Sequence, residues 1–384
     1  VPIKCFLRNT LFTLPQKPNS DSCIRLSLAK IKIYCTQIEQ PSGNAVWSAP
    51  IESIRTKLDF SSFSFPRGKG GINQSQSWLF AKWQGRDVWI EWGNHYFRKL
   101  RNREEDIQTE NRMRLLTELL REEKPDGFRA LPCLGYVKSV DTDDELRFGI
   151  VFEKPASMNP SSKLVTLREI LQNRPKPSLS ARTSLCVSLA ECIQSFHAVN
   201  WLYKGLGSEN IVFFEMDPDD LDIRKLYVSG FALSRPNAFR EMTAKPEFNP
   251  LYDIYRHPDA QSSETDGSYR KSFDMYSLGI VLIEIANWKR IEDIMGIEVL
   301  MEAKPHILST LRSRLLETRK VLMTDSNFGD SFRATVEICL RVDEVEKPIY
   351  IGESDMSISI RLQRMFAENI IGKLRTIEEA LKLE

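Results

Sequence analysis

Around residue 155 the chain changes character, and that change limits its fold more than any single motif. Before it, "SWLFAKW" (77–83) and "VWIEW" (88–92), rich in Trp, Phe, Val and Ile, flank the polar turn "QGRD" (84–87) and read as a hairpin. A charged helix follows in "REEDIQTENRMRLLTELLREEK" (103–124), with Ile107, Met113, Leu116 and Leu120 near helical spacing and acidic residues at its start, where they suit the helix dipole. "ALPCLGYV" (130–137) and "LRFGIVFE" (146–153), parted by the acidic "DTDDE", add two strands. "PASMNPSSK" (155–163) then reads as a linker of Pro and Ser.

Beyond the linker the spacing is mostly helical. Helices are expected at 167–172, at 180–199 with Leu185, Leu189, Ile193 and Phe196 on one face, at 272–290, at 298–322 with a break before Pro305, at 329–342 and at 357–382. Two short strands, "IVFF" (211–214) and "KLYVSGF" (225–231), are joined by the acidic "EMDPDDLD". The expected class is α+β: a β-rich part with one main helix at 61–154, a larger helical part at 155–384 ending in a C-terminal helix, and a poorly defined segment at 1–60.

Charge and cysteine usage narrow the function classes. Lys plus Arg number 53 against 52 for Asp plus Glu, so no global field attracts nucleic acid or an anionic membrane. The longest apolar run, "LGIVLIEIA" (278–286), is too short to span a bilayer and contains Glu284, so no membrane segment is expected. Cys5, Cys23, Cys35, Cys133, Cys186, Cys192 and Cys339 are scattered without metal or C-x-x-C spacing, which points to a reduced, intracellular and cytoplasmic setting. His95, His197, His257 and His306 form no paired motif, and neither G-x-S-x-G nor H-E-x-x-H occurs. Val1 in place of Met points to a fragment or a processed product.

Five strings, in order, resemble the two-lobed protein kinase superfamily over about residues 65–345. "FGIVFE" (148–153) is similar to the strand entering the interlobe hinge, "FHAVNWLYKGLGSENIVFF" (196–214) to the catalytic loop, and "LYVSGFALSRP" (226–236) to the segment bearing Asp-Phe-Gly. "YRHPDAQ" (255–261) resembles the end of the activation segment and "SFDMYSLGIVLIEI" (272–285) the central helix of the helical lobe. The wording of "ENRMRLLTELL", "RFGIVFEKP" and "DMYSLGIVLIEIANW" is most similar to kinase-like domains of fungal HeLo-associated proteins of the prion-inhibition-and-propagation type. The resemblance implies a small β-rich lobe at 61–154 and a helical lobe at 155–384.

It also implies a degenerate site. Kinase chemistry needs a base Asp and carboxylates that hold Mg²⁺. The family's His-Arg-Asp falls on Tyr203, Lys204 and Gly205, and its catalytic-loop Lys on Gly207. The metal-binding Asn is kept as Asn210, while the Asp of Asp-Phe-Gly falls on Ser229, or, with Gly230 as the family's Gly, the other two places fall on Val228 and Tyr227, with no carboxylate either way. Glu91 stands at the phosphate-binding Lys; Lys82 is the cation that could reach over, and Glu105 and Glu110 are helix candidates with no evident partner. "RGKGG" (67–71) is a weak glycine cluster. Asp274 matches an Asp that braces the loop backbone, and Lys204 matches an Arg that binds an acidic or phosphorylated segment; an early-helix Asp and a solvated Lys are the plain alternatives. Asn210 reads more readily as a loop-stabilising residue bonding local backbone.

The resulting expectation is a pseudokinase acting as a signalling or protein-partner module, with no cofactor, or ATP held without Mg²⁺. No nucleic acid is expected, and the oligomeric state stays open. Two alternatives remain: an active, atypical ATP-dependent kinase using Asp222 or Glu209, and a truncated product without function.

Overall fold

The computed structural model describes residues 56–65, 78–92, 98–99, 103–140, 145–155, 158–159, 162–217, 221–236, 248–261, 269–317 and 328–382. The expectations placed on 1–55, "RGKGG" and the middle of "EMDPDDLD" (218–220), like those on Cys5, Cys23 and Cys35, lie outside these residues. The chain is mixed α+β, with a β-sheet toward the N-terminus and helices toward the C-terminus. It forms two compact units: the first runs to Met158 and takes in Phe196–Trp201 and a stretch from Ala232, and the second holds Asn159–Ser195, Leu202–Phe231 and the later chain.

In the first unit the strands are β1 (Lys57–Leu58), β2 (Phe63–Ser64), β3 (Trp78–Trp83), β4 (Arg86–Trp92), β5 (Arg98–Lys99), β6 (Cys133–Val140) and β7 (Glu145–Glu153). They form one sheet in the order β1-β6-β7-β4-β3-β2, with β5 also on β7. Gln84 and Gly85, at φ 49° and 78°, make the tight turn that joins β3 to β4, a geometry whose twist matches the strands it connects. Period-2 alternation sorts the side chains. Val88, Ile90, Trp92, Val137 and Val151 pack on one face with Phe63, Leu79 and Ala81. Trp89, Ile150, Phe152 and Tyr136 are buried on the other, where α1 (Arg103–Arg121) packs against β6 through its apolar stripe at Met113, Leu116 and Leu120. β1 and β2 escaped the sequence reading because two-residue strands carry no periodicity.

In the second unit, β8 (Lys163–Thr166) pairs antiparallel with β9 (Ile211–Glu215), which pairs with β10 (Tyr227–Val228). β8 lies where the sequence reads a linker running into a helix. Its last residue, Thr166, is also the N-cap of α2 (Leu167–Asn173), closed by a capping box with Glu169, so strand and helix signals overlap. α3 (Leu179–Ala198) follows. Further helices are α4 (Pro250–Asp253), α5 (Pro258–Gln261), α6 (Lys271–Asn287), α7 (Ile291–Met295), α8 (Pro305–Ser309), α9 (Leu311–Glu317), α10 (Gly329–Leu340), α11 (Asp355–Met365) and α12 (Lys373–Lys382). Every residue of α6 from Lys271 to Ala286 is buried, as an all-round apolar helix demands, and α10 packs along it. The break expected before Pro305 is present: a 3₁₀ turn (Leu300–Glu302) precedes α8, which starts at Pro305, a residue suited to a first helical turn, and α9 runs to Glu317. Between α11 and α12 the chain takes a π-helical course over Phe366–Gly372 and buries Phe366, Ile370 and Ile371.

Candidate functional site

After α3 the chain enters the loop that the sequence singles out, and a buried carboxylate on α6 sets its course. Asp274 is wholly buried. Its Oδ2 accepts from the backbone N–H of Tyr203 (2.9 Å), and its Oδ1 accepts from the N–H of Lys204 (2.8 Å) and the Tyr269 hydroxyl (2.8 Å). Lys204 sits at φ 64°, a left-handed conformation uncommon for a residue with a side chain, and this grip holds it there. Its Nζ lies 5.1 Å from the centroid of the Tyr269 ring, a cation–π contact, so it is not simply solvated. Leu202, Tyr269 and Phe273 form a small apolar cluster beneath.

Six residues on, the loop closes on itself. The Asn210 side-chain amide donates to the Gly205 carbonyl (2.7 Å), while the Asn210 carbonyl accepts from the Ser229 N–H (2.9 Å). The Tyr203 hydroxyl donates to the Ser229 carbonyl, and the Tyr203 ring meets Phe231 edge-on at 5.5 Å. Packing here is too tight for side chains at the glycines. A Cβ on Gly205 would stand 2.6 Å from the Gly230 carbonyl oxygen, and one on Gly207 2.9 Å from the Tyr255 ring. Gly230, at φ 79°, would put a Cβ 2.4 Å from the Asn210 amide nitrogen. Tyr203, Gly205, Asn210, Ser229 and Gly230 are thus brought together as a closed knot of backbone and neutral side chains, in which no member is a base strong enough to take a hydroxyl proton.

Other candidates lie in the first unit. Lys82, expected to reach toward a phosphate, pairs instead with Asp87 across the hairpin at 2.9 Å. Register places Glu91 opposite Trp78 and Ile150, buried on the face that α1 covers, four residues or roughly 13 Å along the strand from the partner of Lys82. Glu110 corrects the reading that it lacks a partner: it accepts from Lys57 (2.6 Å), Lys138 (3.0 Å) and the Tyr136 hydroxyl (3.3 Å), all recruited from strands distant in sequence. Glu105 lies in the first turns of α1, and its side chain lies outside the described atoms.

The displaced-base candidates are also engaged. Partial burial, the largest influence on Asp222, raises its carboxyl, but hydrogen bonds and charge from Arg224 (Nε at 2.8 Å) outweigh it and hold the group below the ordinary range. Glu209 is pushed up, first by burial, with Arg168 at 3.7 Å opposing. Among the described residues, no cluster of three or more His, Cys, Asp or Glu is arranged to hold a metal ion, and no helix is long and apolar enough to cross a membrane. Cys133, Cys186, Cys192 and Cys339 are buried and take part in no disulfide. The sequence reading missed Tyr255, whose ring walls off Gly207; its only signal was its place at the head of "YRHPDAQ".

Residues 138–379, more than half of the chain, match the family model DUF7580, described as a domain of unknown function. The match covers the knot and Asp274 but not Lys82 or Glu91. No curated protein matches.

Proposed function

The chain belongs to the DUF7580 family, and we propose that it is a kinase-like two-lobed domain whose catalytic loop has lost its chemistry and that serves inside the cell as a partner-binding or signalling module. One observation carries this reading. Gly205, at the position the resemblance gives to the base, has neither a side chain nor room for one. Phosphoryl transfer relies on a base or orienting carboxylate together with metal-held phosphates, and each contributes orders of magnitude in rate. Here the Asn210 amide is committed to the Gly205 carbonyl, and Ser229 brings a hydroxyl where a metal ligand is needed. The grip of Asp274 on the backbone of Tyr203 and Lys204 supports a loop kept for its shape. A surface suited to protein partners is available on the helical unit, where Ile349, Tyr350 and Ile351 are exposed in succession.

A thermal-shift titration with ATP, with and without Mg²⁺, paired with an ADP-release assay, tests the proposal. The expected result is no Mg²⁺-dependent stabilisation and no turnover. Stabilisation that requires Mg²⁺ overturns the metal-dead reading. Turnover abolished by Glu209→Gln or Asp222→Asn establishes an active, atypical kinase instead, and a non-cooperative melt of the purified chain supports a truncated product.

A further inference from the structure

Ten residues beyond Asp274, α6 carries a second wholly buried carboxyl, Glu284. Its Oε1 accepts from the Tyr255 hydroxyl (2.8 Å) and from the Ile291 N–H (2.8 Å). Because the Tyr255 proton is directed at Glu284, the Ser208 hydroxyl 2.6 Å away must donate to the Tyr255 oxygen. The chain of donors therefore runs Ser208 to Tyr255 to Glu284, with Ile291 arriving from the other side. Glu284 Oε2 is buried and accepts nothing. Ionisation would leave about half a charge on that oxygen with no donor to meet it, whereas the neutral acid leaves only an uncharged hydroxyl there, a smaller desolvation cost that favours the neutral acid.

The charged groups that face Glu284 reinforce the point. Glu292 on α7 brings negative charge, and Arg168 on α2 brings positive charge. Arg168 is already taken: two of its nitrogens bind the Glu292 carboxylate, and its Nε lies 3.7 Å from Glu209. Arg290 approaches Glu292 at 3.6 Å from the far side.

We propose that Glu284 is a proton-dependent latch: while its carboxyl is neutral, the chain Ser208–Tyr255–Glu284–Ile291 clamps the loop bearing Gly207 and Asn210, the Tyr255 segment and the end of α6 into one body, and loss of the proton loosens it. The geometry requires no kinase chemistry, so the latch stands or falls apart from the function proposed above. Its target is nonetheless the same loop, since Tyr255 is both the middle link and the wall against Gly207. Burial, the largest influence, pushes Glu284 up to about 8 from an ordinary 4.5, against the hydrogen bonds of Ile291 and Tyr255. A raised carboxyl contributes stability in full below its unfolded value, and that stability is lost as pH climbs from there through the folded value, by up to about tenfold in the folding constant per pH unit.

Urea denaturation of the full chain and of Glu284→Gln at pH 5, 6, 7 and 8 tests this. Gln keeps an acceptor for Tyr255 and Ile291 and cannot ionise. The folding constant of the variant relative to wild type is expected to rise by up to tenfold per pH unit across this range, and Ile291 amide exchange, corrected for its intrinsic pH dependence, should accelerate above pH 8 in wild type only. Parallel pH profiles for the two proteins overturn the latch. Should Glu284→Gln fail to fold, Tyr255→Phe serves: it removes a donor to the ionised form, so its destabilisation must grow from pH 6 to pH 9, and a pH-independent difference rejects the proposal.

Discussion

Asp274 and Glu284 lie on one helix, both wholly buried, yet they live in opposite electrostatic conditions. Asp274 has both oxygens met, by two backbone N–H groups and the Tyr269 hydroxyl. Glu284 receives two donors on one oxygen and none on the other. Burial alone therefore does not set how well a carboxyl is met. The distribution of donors does, since each unmet oxygen carries an uncompensated desolvation cost. Asp274 organises a loop through donors on both of its oxygens, and Glu284 joins a neighbouring segment through donors on one oxygen alone.

Substitutions can break that contrast. The largest expected effect is from Asp274→Ala, which strands a buried and a part-buried N–H and a buried hydroxyl and should cost about 5 kcal/mol in urea denaturation; a loss under 1 kcal/mol would mean the loop holds itself. Gly205→Asp should cost about 3 kcal/mol, because its Cβ meets the Gly230 carbonyl at 2.6 Å, and should restore no ATP turnover. A stable, active Gly205→Asp would show that only the side chain was missing. Tyr269→Phe removes one donor from Asp274 and the hydroxyl it satisfies, so a loss of about 1 kcal/mol is expected, measurable by the shift in urea midpoint. Smallest is Lys204→Met, which forfeits the cation–π contact with Tyr269 and should lower stability by roughly 0.5 kcal/mol.

Much of the secondary structure was legible because long amphipathic segments announce their period: the β3–β4 hairpin, α1, α3, α6 and α10 lie close to where the sequence puts them. The short pieces were not. β8 has four residues between a linker and a cap, and β1 and β2 have two each, too few for any pattern. In the site, Gly205, Asn210, Ser229, Lys204 and Asp274 were all found by their order along the chain. Their roles were legible in outline, Asp274 as a brace of the loop backbone and Asn210 as a loop-stabilising residue, but their partners were not, because which N–H or carbonyl each one meets depends on dihedrals and approach distances that residue order does not encode.

By itself, the sequence determined the α+β partition, the helix that must be buried on every side, and the absence of a carboxylate at 205 and 229, since these follow from periodicity and from which side chains are present. Only the tertiary structure decided that position 205 is closed, that Glu110 is partnered by Lys57 and Lys138, and that Glu284 is left with one oxygen unmet. Each of these depends on atoms from distant parts of the chain meeting within about 3 Å, and at that range a few tenths of an ångström separates a hydrogen bond from a clash.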